Sequence, residues 1–235
     1  MESTLVIARY NEDINWVNNL DTFSKKIIYN KGENLQNLKN TQIIDLPNIG
    51  RESHTWLHHI VQNYEKLSHY NVFVQGRIDD LGCMSFKNPN DYLVYLKKNS
   101  FVVSRLGLLG PFHWKNNLGI ENDIRYKEAW TKGGISNNKE GFRKYAKKFF
   151  NKIPLITATS YGGCFGVTKN AITKMDKNFY INLLRTVSNH PHPIEAHYLE
   201  RLWCYMFSKN DYLIQAFLDV IKTKLERKIH INFQN

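Results

Sequence analysis

Short apolar runs alternate with segments of helical spacing along the first third of the chain. Runs rich in β-branched residues predict buried strands at residues 5–9, 26–30, 42–46 and 72–75. Apolar side chains at residues 14–20 and 56–64 recur as they do on one face of a helix. Strands that alternate with helices are typical of a parallel sheet. The pattern predicts an α/β fold, a single Rossmann-like domain with a mostly parallel central sheet flanked by helices.

The rest of the chain has a less regular pattern. It predicts helices at residues 90–98, 139–151, 194–207 and 212–225, and strands at residues 101–103 and 228–233. Residues 107–138 are rich in Gly and Asn and lack periodicity, which predicts a long loop or lid. Gly162 and Gly163 lie side by side, as expected where a backbone turns sharply or approaches a ligand closely.

Composition narrows the class of protein. The 235 residues are 42% hydrophobic, enough for one substantial core. There is no apolar run of membrane-spanning length and no signal-peptide pattern at the amino terminus, so we expect a soluble, cytoplasmic protein without a membrane span. The three cysteines, Cys83, Cys164 and Cys204, are too scattered for a disulfide framework and favour a reducing compartment.

The net charge of +11 favours anionic partners. The basic residues of the helix predicted at 139–151 suit a solvated face better than a nucleic-acid site. No nucleic-acid-binding motif is present in the sequence, and the aromatic residues have the spacing of a core. Nucleic acid is therefore not the favoured partner.

Four polar clusters fall in predicted loops or at helix starts, at residues 11–13, 48–54, 75–80 and 190–200. In open α/β sheets, ligands bind at the carboxyl edge of the strands, where these clusters can converge. Asp79 and Asp80 follow the strand at 72–75, and their carboxylates suit Mg²⁺ or Mn²⁺. The alternative for this pair is a solvated turn in which one aspartate caps the next element.

Glu200 lies in a predicted helix that is apolar around most of its circumference. Burial would raise the pKa of Glu200 toward the range useful in a general base, whereas Arg201 would lower it. A structural ion pair is the alternative. Arg51, at a helix start, favours an anion site, while Glu52 fits a cap or a sugar contact. His197 fits a packed histidine better than a metal ligand.

Residues 5–13, 28–32, 46–54, 72–76 and 200–203 together resemble the DUF3431-type family of glycosyltransferase-like proteins, which occur in microbes and viruses. The resemblance implies a GT-A fold, a nucleotide-sugar donor, with a UDP-sugar favoured, and a glycan or other hydroxyl acceptor. It implies a nucleotide-sugar site made of Ala8, Arg9, Asn11, Glu12, Asn30, Lys31, Arg51, Gln75, Arg77, Asp79, Gly162 and Gly163.

The same resemblance implies that Asp80 is the chief ligand of Mn²⁺ or Mg²⁺, with Asp79 beside it. Such enzymes usually carry Asp-x-Asp, where this chain has Ile78-Asp79-Asp80. The run Glu200-Arg201-Leu202-Trp203 is similar to the Glu-His-Leu-Trp of inverting, branching N-acetylglucosaminyltransferases, in which the glutamate is the base. Residues 1–100 would then bind the nucleotide, and residues 101–235 would bind the acceptor and carry catalysis.

The sequence thus favours a metal-assisted, inverting hexosyl- or pentosyltransferase with Glu200 as the base. Two other classes of function remain open. A metal-dependent phosphoesterase or nuclease would use Asp79, Asp80 and histidines, although few further acidic residues are available for a two-metal cluster. A non-catalytic, basic nucleic-acid-binding module would use the net positive charge.

Overall fold

The computed structural model describes residues 1–36, 38–78, 86, 88–103, 106–115 and 141–208. In these ranges the elements are β1 (Ser3–Arg9), β2 (Lys25–Asn30), β3 (Gln42–Asp45), α1 (Arg51–Asn63), β4 (Tyr70–Gln75), α2 (Pro89–Leu96), β5 (Phe101–Val102), β6 (Leu106–Leu109), α3 (Pro111–Lys115), α4 (Phe142–Phe149), β7 (Thr157–Ser160), β8 (Phe165–Thr168), α5 (Lys169–Ile172), α6 (Lys177–Thr186) and α7 (Ile194–Ser208). Two 3₁₀ turns cover Asn15–Asn19 and Tyr64–Lys66.

The central sheet has six strands in the order β3-β2-β1-β4-β8-β5. β1 pairs in parallel with both β2 and β4, and β3 pairs in parallel with β2. β8 runs antiparallel to β4 and to β5. β6 and β7 form a separate antiparallel pair. Because β1, β2 and β4 are parallel neighbours, the loops that follow them leave the sheet at one edge.

Helices cover both faces of the sheet because its strand residues alternate between two hydrophobic clusters. On one face, Val6 and Phe73 pack with Trp56 of α1 and Trp203 of α7. The other face carries Leu5, Ile7, Val72 and Val74, covered by the 3₁₀ turn at Asn15–Asn19 and by α2. These strands are buried on both sides, as expected for a parallel sheet between two helical layers.

The predicted class, α/β with a mostly parallel central sheet flanked by helices, is confirmed. The structure contains the strands predicted at 5–9, 26–30, 42–46 and 72–75, and the helices predicted at 56–64, 90–98, 139–151 and 194–207, with bounds that differ by a few residues. β8 comes from the second half of the chain and pairs with β4 of the first, so both halves build one sheet. The elements predicted at 212–225 and 228–233 lie outside the described residues.

Three predictions about local structure were wrong or incomplete. The helix predicted at 14–20 is a 3₁₀ turn at Asn15–Asn19. The long loop predicted from residue 107 begins with β6 and α3. β7, β8, α5 and α6 were not predicted. The four residues of β7 are all buried but belong to the small or polar types Thr, Ala and Ser, so no hydrophobic alternation marks the strand.

Candidate functional site

A cleft of about 450 Å³ opens at the carboxyl edge of β1, β2 and β4. The start of α1 and the segment before α7 complete its wall. Its lining residues are Ala8, Arg9, Tyr10, Glu12, Lys31, Asn48, Arg51, Glu52, Gln75, Pro191 and His192. Four polar clusters predicted to converge at this edge each supply part of the lining. The volume falls in the range of small-molecule sites, which is about 300–1,000 Å³.

Arg9 and Asn30 hold the loops that follow β1 and β2. The Arg9 guanidinium donates to Asn30 Oδ1 at 2.6 Å and to the carbonyl oxygens of Glu33 and Glu12, both at 3.0 Å. Asn30 Nδ2 in turn donates to Asp45 Oδ1 at 3.0 Å. Both residues are buried. Their hydrogen bonds fix the shape of the cleft floor.

Asn11 and Glu12 are also bonded to neighbouring loop backbone. Asn11 Oδ1 accepts the Glu33 N–H at 2.9 Å. Glu12 Oε2 accepts the Tyr10 N–H at 2.6 Å. A Cβ added to Gly76 would lie 2.9 Å from the same Glu12 oxygen, so a larger residue at this position would require the Glu12 side chain to move. Glu12 therefore joins the loops after β1 and β4 while one side of it lines the cleft.

Lys31 places a cation beneath the first turn of α1. Its Nζ donates to the carbonyl oxygens of Ile49 and Arg51, each at 2.6 Å. Burial lowers the pKa of Lys31 to about 8, and the nearby Glu52 carboxylate opposes that shift. Lys31 is therefore mostly protonated at neutral pH and loses its charge as the pH rises through about 8.

The chain enters α1 through a left-handed turn. Gly50 has φ +64° and Arg51 has φ +51°. The Gly50 N–H donates to the His190 carbonyl at 2.8 Å, which ties this turn to the segment before α7. A Cβ on Gly50 would lie only 2.2 Å from the Val187 carbonyl oxygen. A glycine is required here both for the backbone angle and for the close approach.

Arg51 and Glu52 are neighbours at the start of α1, and both side chains lie in the wall of the cleft. Arg51 Nε lies 3.5 Å from Glu52 Oε2, and Arg51 Nη1 lies 3.4 Å from His197 Nε2. The side chain of Arg51 is 37% exposed, whereas that of Glu52 is only 10% exposed. Burial pushes the pKa of Glu52 up, but the Arg51 charge, a backbone hydrogen bond and the Lys31 charge hold it below its ordinary value. Glu52 is therefore an ionised carboxylate in a largely dry position.

Gly162 and Gly163 form a turn held by three elements. Both have positive φ, +87° and +68°. The Gly162 carbonyl accepts from Gln75 Nε2 at 3.1 Å, and the Gly163 carbonyl accepts from Trp56 Nε1 at 3.0 Å. The Gly162 N–H donates to Glu200 Oε1 at 2.7 Å. The predicted sharp turn is confirmed, and the turn lies against Gln75 at the cleft edge.

Both carboxylate oxygens of Glu200 lie near polar groups of neighbouring residues. Besides the Gly162 N–H, its Oε1 lies 2.6 Å from Arg201 Nη1, and its Oε2 lies 4.0 Å from His197 Nδ1. The Arg201 guanidinium also stacks on the Tyr161 ring, 4.6 Å from the centroid. The ion pair that the sequence left open as an alternative is therefore present. Glu200 is not among the residues that line the cleft.

His197 is packed and hydrogen-bonded, as the sequence favoured. It is 3% exposed and contacts Arg51. Burial and then the Arg51 charge lower the pKa of His197 to about 4, with Glu52 opposing. It is therefore neutral at pH 7. His192 lies at the cleft, where burial and then Arg51 and His190 lower its pKa and Glu52 opposes them.

Of the predicted site residues, Ala8, Arg9, Glu12, Lys31, Arg51 and Gln75 line the cleft. Arg77 is exposed just past the end of β4. The predicted metal ligands, Asp79 and Asp80, lie outside the described residues. Within residues 1–36, 38–78, 86, 88–103, 106–115 and 141–208, no three His, Cys, Asp or Glu side chains are grouped to hold a metal ion.

Four cleft residues were given no role from the sequence, and a fifth, Glu52, was left open between a helix cap and a sugar contact; the four are Tyr10, Asn48, Pro191 and His192. Of these five residues, all but Tyr10 fall inside polar clusters recognised in the sequence, at residues 48–54 and 190–200. Which member of a cluster faces a cleft depends on the docking of α1 against α7. Sequence spacing alone does not contain that information.

The fold and site define an α/β protein with a charged, ligand-sized cleft at the carboxyl edge of a mostly parallel sheet. The chain belongs to the family described as "Protein of unknown function (DUF3431)", whose model matches residues 5–217. That match includes every residue of the cleft. Neither a search of curated proteins nor a search of solved structures gave a match. In the part of the chain that the structure describes, no helix has the length and apolar character needed to cross a membrane.

Proposed function

We propose that this protein is a glycosyltransferase that moves a sugar from a nucleotide-sugar donor to an acceptor hydroxyl, with a GT-A type of arrangement. The observation that carries the proposal is the cleft at the carboxyl edge of β1, β2 and β4, with Lys31 and Arg51 in its wall. Open α/β sheets bind ligands at this edge. A nucleoside diphosphate linked to a sugar has both the size and the charge that such a cleft accommodates.

The diphosphate would lie at the start of α1. This 13-residue helix presents backbone N–H groups and the positive end of its dipole there. Arg51 and Lys31 add two cations on the same side of the cleft. Arg51 is exposed enough to reach a ligand, and its planar guanidinium matches phosphate oxygens. The loop of Ala8, Tyr10 and Glu12 would then face the nucleoside.

A divalent metal ion would be held by Asp80, with Asp79 beside it. The chain leaves β4 at Gln75, which lines the cleft, and Asp79 and Asp80 come four and five positions later in the sequence. Their carboxylate oxygens are ligands that Mn²⁺ and Mg²⁺ prefer. When bound, the ion would supply positive charge to the leaving diphosphate.

Transfer also requires a base that takes the proton of the acceptor hydroxyl as the oxygen attacks the anomeric carbon. In-line attack with departure of the nucleoside diphosphate would invert the anomeric configuration. Glu200 is the base that the sequence suggests, and Glu52 is the second carboxylate of this region. Both lie close to the Gly162–Gly163 turn.

A thermal-shift panel of UDP-, GDP- and TDP-sugars, with and without Mn²⁺, tests the proposal. Ligand at 100 times its Kd adds about 2.7 kcal/mol of stability, which corresponds to a rise in Tm of about 5–10 °C for a protein of this size. We expect a UDP-sugar to give the largest rise, and Asp80→Ala or EDTA to remove the part that depends on Mn²⁺. Asp21→Ala, at an exposed position, is the matched control and should behave like the unaltered protein.

Absence of any shift with all of these nucleotide sugars would contradict the proposal. Mn²⁺-dependent degradation of DNA or RNA that Asp80→Ala abolishes would point instead to a nuclease. Strongly salt-dependent RNA binding, together with no nucleotide-sugar shift, would point to a nucleic-acid-binding module.

Donor affinity should also depend on pH through Lys31. A protonated Lys31 attracts the diphosphate, and the pKa of about 8 in the free protein means that this charge disappears as the pH rises through that value. We expect the affinity for a nucleoside diphosphate, measured by calorimetry, to fall several-fold between pH 7 and pH 9.5. Lys31→Met should bind more weakly at pH 7 and lose most of this pH dependence.

Lys174→Met is the matched control for the Lys31 substitution, since Lys174 lies exposed after α5. It should retain both the affinity and its pH dependence. Because Lys31 also bonds two backbone carbonyls, the Tm of each variant is measured alongside its affinity. An unchanged pH dependence in folded Lys31→Met would show that another group controls binding.

A further inference from the structure

Among the described residues that line the cleft, Glu12 and Glu52 are the carboxylates. Glu12 bonds the Tyr10 N–H and abuts Gly76, on the side of the cleft formed by the loops after β1 and β4. Glu52 lies at the start of α1, next to Arg51. The two carboxylates therefore belong to different parts of the cleft. Glu12 lies in the part that we propose binds the nucleoside.

Glu200 is held in a structural arrangement. Its Oε1 accepts the Gly162 N–H at 2.7 Å and lies 2.6 Å from Arg201 Nη1. The serine before the turn adds to this attachment, because Ser160 Oγ donates to the Glu200 carbonyl at 3.1 Å. These contacts fasten the Gly162–Gly163 turn to α7. Glu200 Oε2 lies 4.0 Å from His197 Nδ1, and Glu200 is not among the residues that line the cleft.

Glu52 lies against the other side of the same turn. A Cβ added to Gly163 would be 3.1 Å from Glu52 Oε1 and 3.3 Å from Gln75 Nε2, so the glycine leaves room for the carboxylate beside the cleft. Glu52 Oε2 is 3.5 Å from Arg51 Nε. The carboxylate thus adjoins the arginine that we place on the donor diphosphate.

On the basis of the proposed transferase function, we infer that Glu52, and not Glu200, is the general base that contacts the acceptor hydroxyl. A Glu52 carboxylate oxygen takes the hydroxyl proton while the acceptor oxygen bonds to the anomeric carbon. The bond from that carbon to the diphosphate oxygen breaks at the same time, and the nucleoside diphosphate leaves with the electron pair. Glu200 is a positioning residue that holds the Gly162–Gly163 turn against Glu52.

The surroundings of Glu52 fit this role. Its side chain is 10% exposed and lines the cleft, so it can meet a ligand while most of its surface is shielded from water. The Arg51 charge, the Glu52 backbone N–H and the Lys31 charge hold the pKa of Glu52 below its ordinary value, so the carboxylate is ionised at neutral pH, although it is a weaker base than a carboxylate of raised pKa. An ionised carboxylate is the form of the side chain that accepts a proton.

Three isosteric variants test the assignment: Glu52→Gln, Glu200→Gln and Glu12→Gln. The nucleotide sugar with the largest thermal shift is the donor, and release of the nucleoside diphosphate is measured with water and with simple methyl glycosides as acceptors. Removing a general base lowers kcat by about 10²–10⁴-fold. We expect Glu52→Gln to lose about 100-fold or more in kcat while its Kd for the donor changes less than about threefold.

The other two variants should separate positioning from catalysis. Glu200→Gln should lower the Tm and reduce kcat by a smaller factor than Glu52→Gln. Glu12→Gln should weaken donor binding, so its effect should appear in the Kd for the donor. In this pattern Glu52 is the base, Glu200 positions the Gly162–Gly163 turn, and Glu12 contributes to donor binding.

Other outcomes overturn the assignment. A Glu52→Gln variant that keeps its kcat, with Glu200→Gln losing it, would make Glu200 the base. A Glu52→Gln variant that loses donor affinity and keeps kcat would place Glu52 in donor binding. If the unaltered protein binds no nucleotide sugar, or binds one and releases no nucleoside diphosphate, the proposed function itself fails and the role of Glu52 falls with it.

Discussion

Replacing Gly50 with alanine is expected to lower the free energy of unfolding by about 3 kcal/mol or more. The added Cβ would lie 2.2 Å from the Val187 carbonyl oxygen, far inside van der Waals contact. Gly50 and Val187 are both held by backbone hydrogen bonds, and the Gly50 N–H donates to the His190 carbonyl. Neither residue can therefore move freely to relieve the clash. The φ of +64° adds the ordinary penalty of a left-handed alanine, about 1–2 kcal/mol. Urea denaturation gives the measurement.

Two controls separate the clash from the backbone penalty. Asn40→Ala, at an exposed residue with φ +53°, changes the side chain at a similar backbone angle and should cost about 1 kcal/mol. Gly110→Ala adds a Cβ that meets nothing within 4 Å and should be close to neutral. If Gly50→Ala is no more destabilising than Asn40→Ala, the close docking of α1 on the segment before α7 is wrong.

The second large effect is a loss of stability in mild acid. His54, His59 and His197 are buried, and burial is the main cause that lowers their pKa values to about 4, 3 and 4. In the unfolded chain a histidine titrates near 6.5, so below that pH the unfolded state binds more protons than the folded state. The stability from keeping these histidines neutral is complete above pH 6.5 and is lost as the pH falls toward 4.

Each such histidine contributes up to about 1.4 kcal/mol per pH unit in this window, so we expect about 6 kcal/mol less stability at pH 5 than at pH 7.5. His59→Gln should reduce the slope of unfolding free energy against pH by about a third, because a glutamine at this position does not titrate. His69→Gln, at an exposed residue, should leave the slope unchanged. A flat profile down to pH 5 would show that these histidines are not buried in solution.

The ion pair of Glu200 with Arg201 shows how much of the surroundings of a side chain can be predicted from the sequence. A carboxylate in an otherwise apolar helix needs a partner or a purpose, and the sequence left both possibilities open. The adjacent arginine is visible in the sequence, but the Gly162 N–H that completes the arrangement is 38 positions away. The structure therefore shows that Glu200 holds the turn at Gly162 in place, which the spacing of residues along α7 cannot indicate.

For the Gly162–Gly163 turn, too, the sequence predicted only part of what the structure contains. Paired glycines predicted a sharp turn or a close approach to a ligand, and the sharp turn is present, since both residues have positive φ. Their partners, Gln75, Trp56 and Glu200, come from a strand and two helices that are distant in the sequence. Local chemistry predicted the turn, whereas only packing determined what it touches.

By itself, the sequence determined the parallel strands, the helices over them and the edge at which polar loops gather. It could do so because buried strands and amphipathic helices leave periodic patterns, and because parallel strands end at the same edge of a sheet. Only the tertiary structure decided that Glu52 lines the cleft while Glu200 fastens a neighbouring turn. The reason is physical: the direction of each carboxylate depends on how α1 and α7 dock on the sheet, and that docking is set by long-range contacts such as the one between Gly50 and His190.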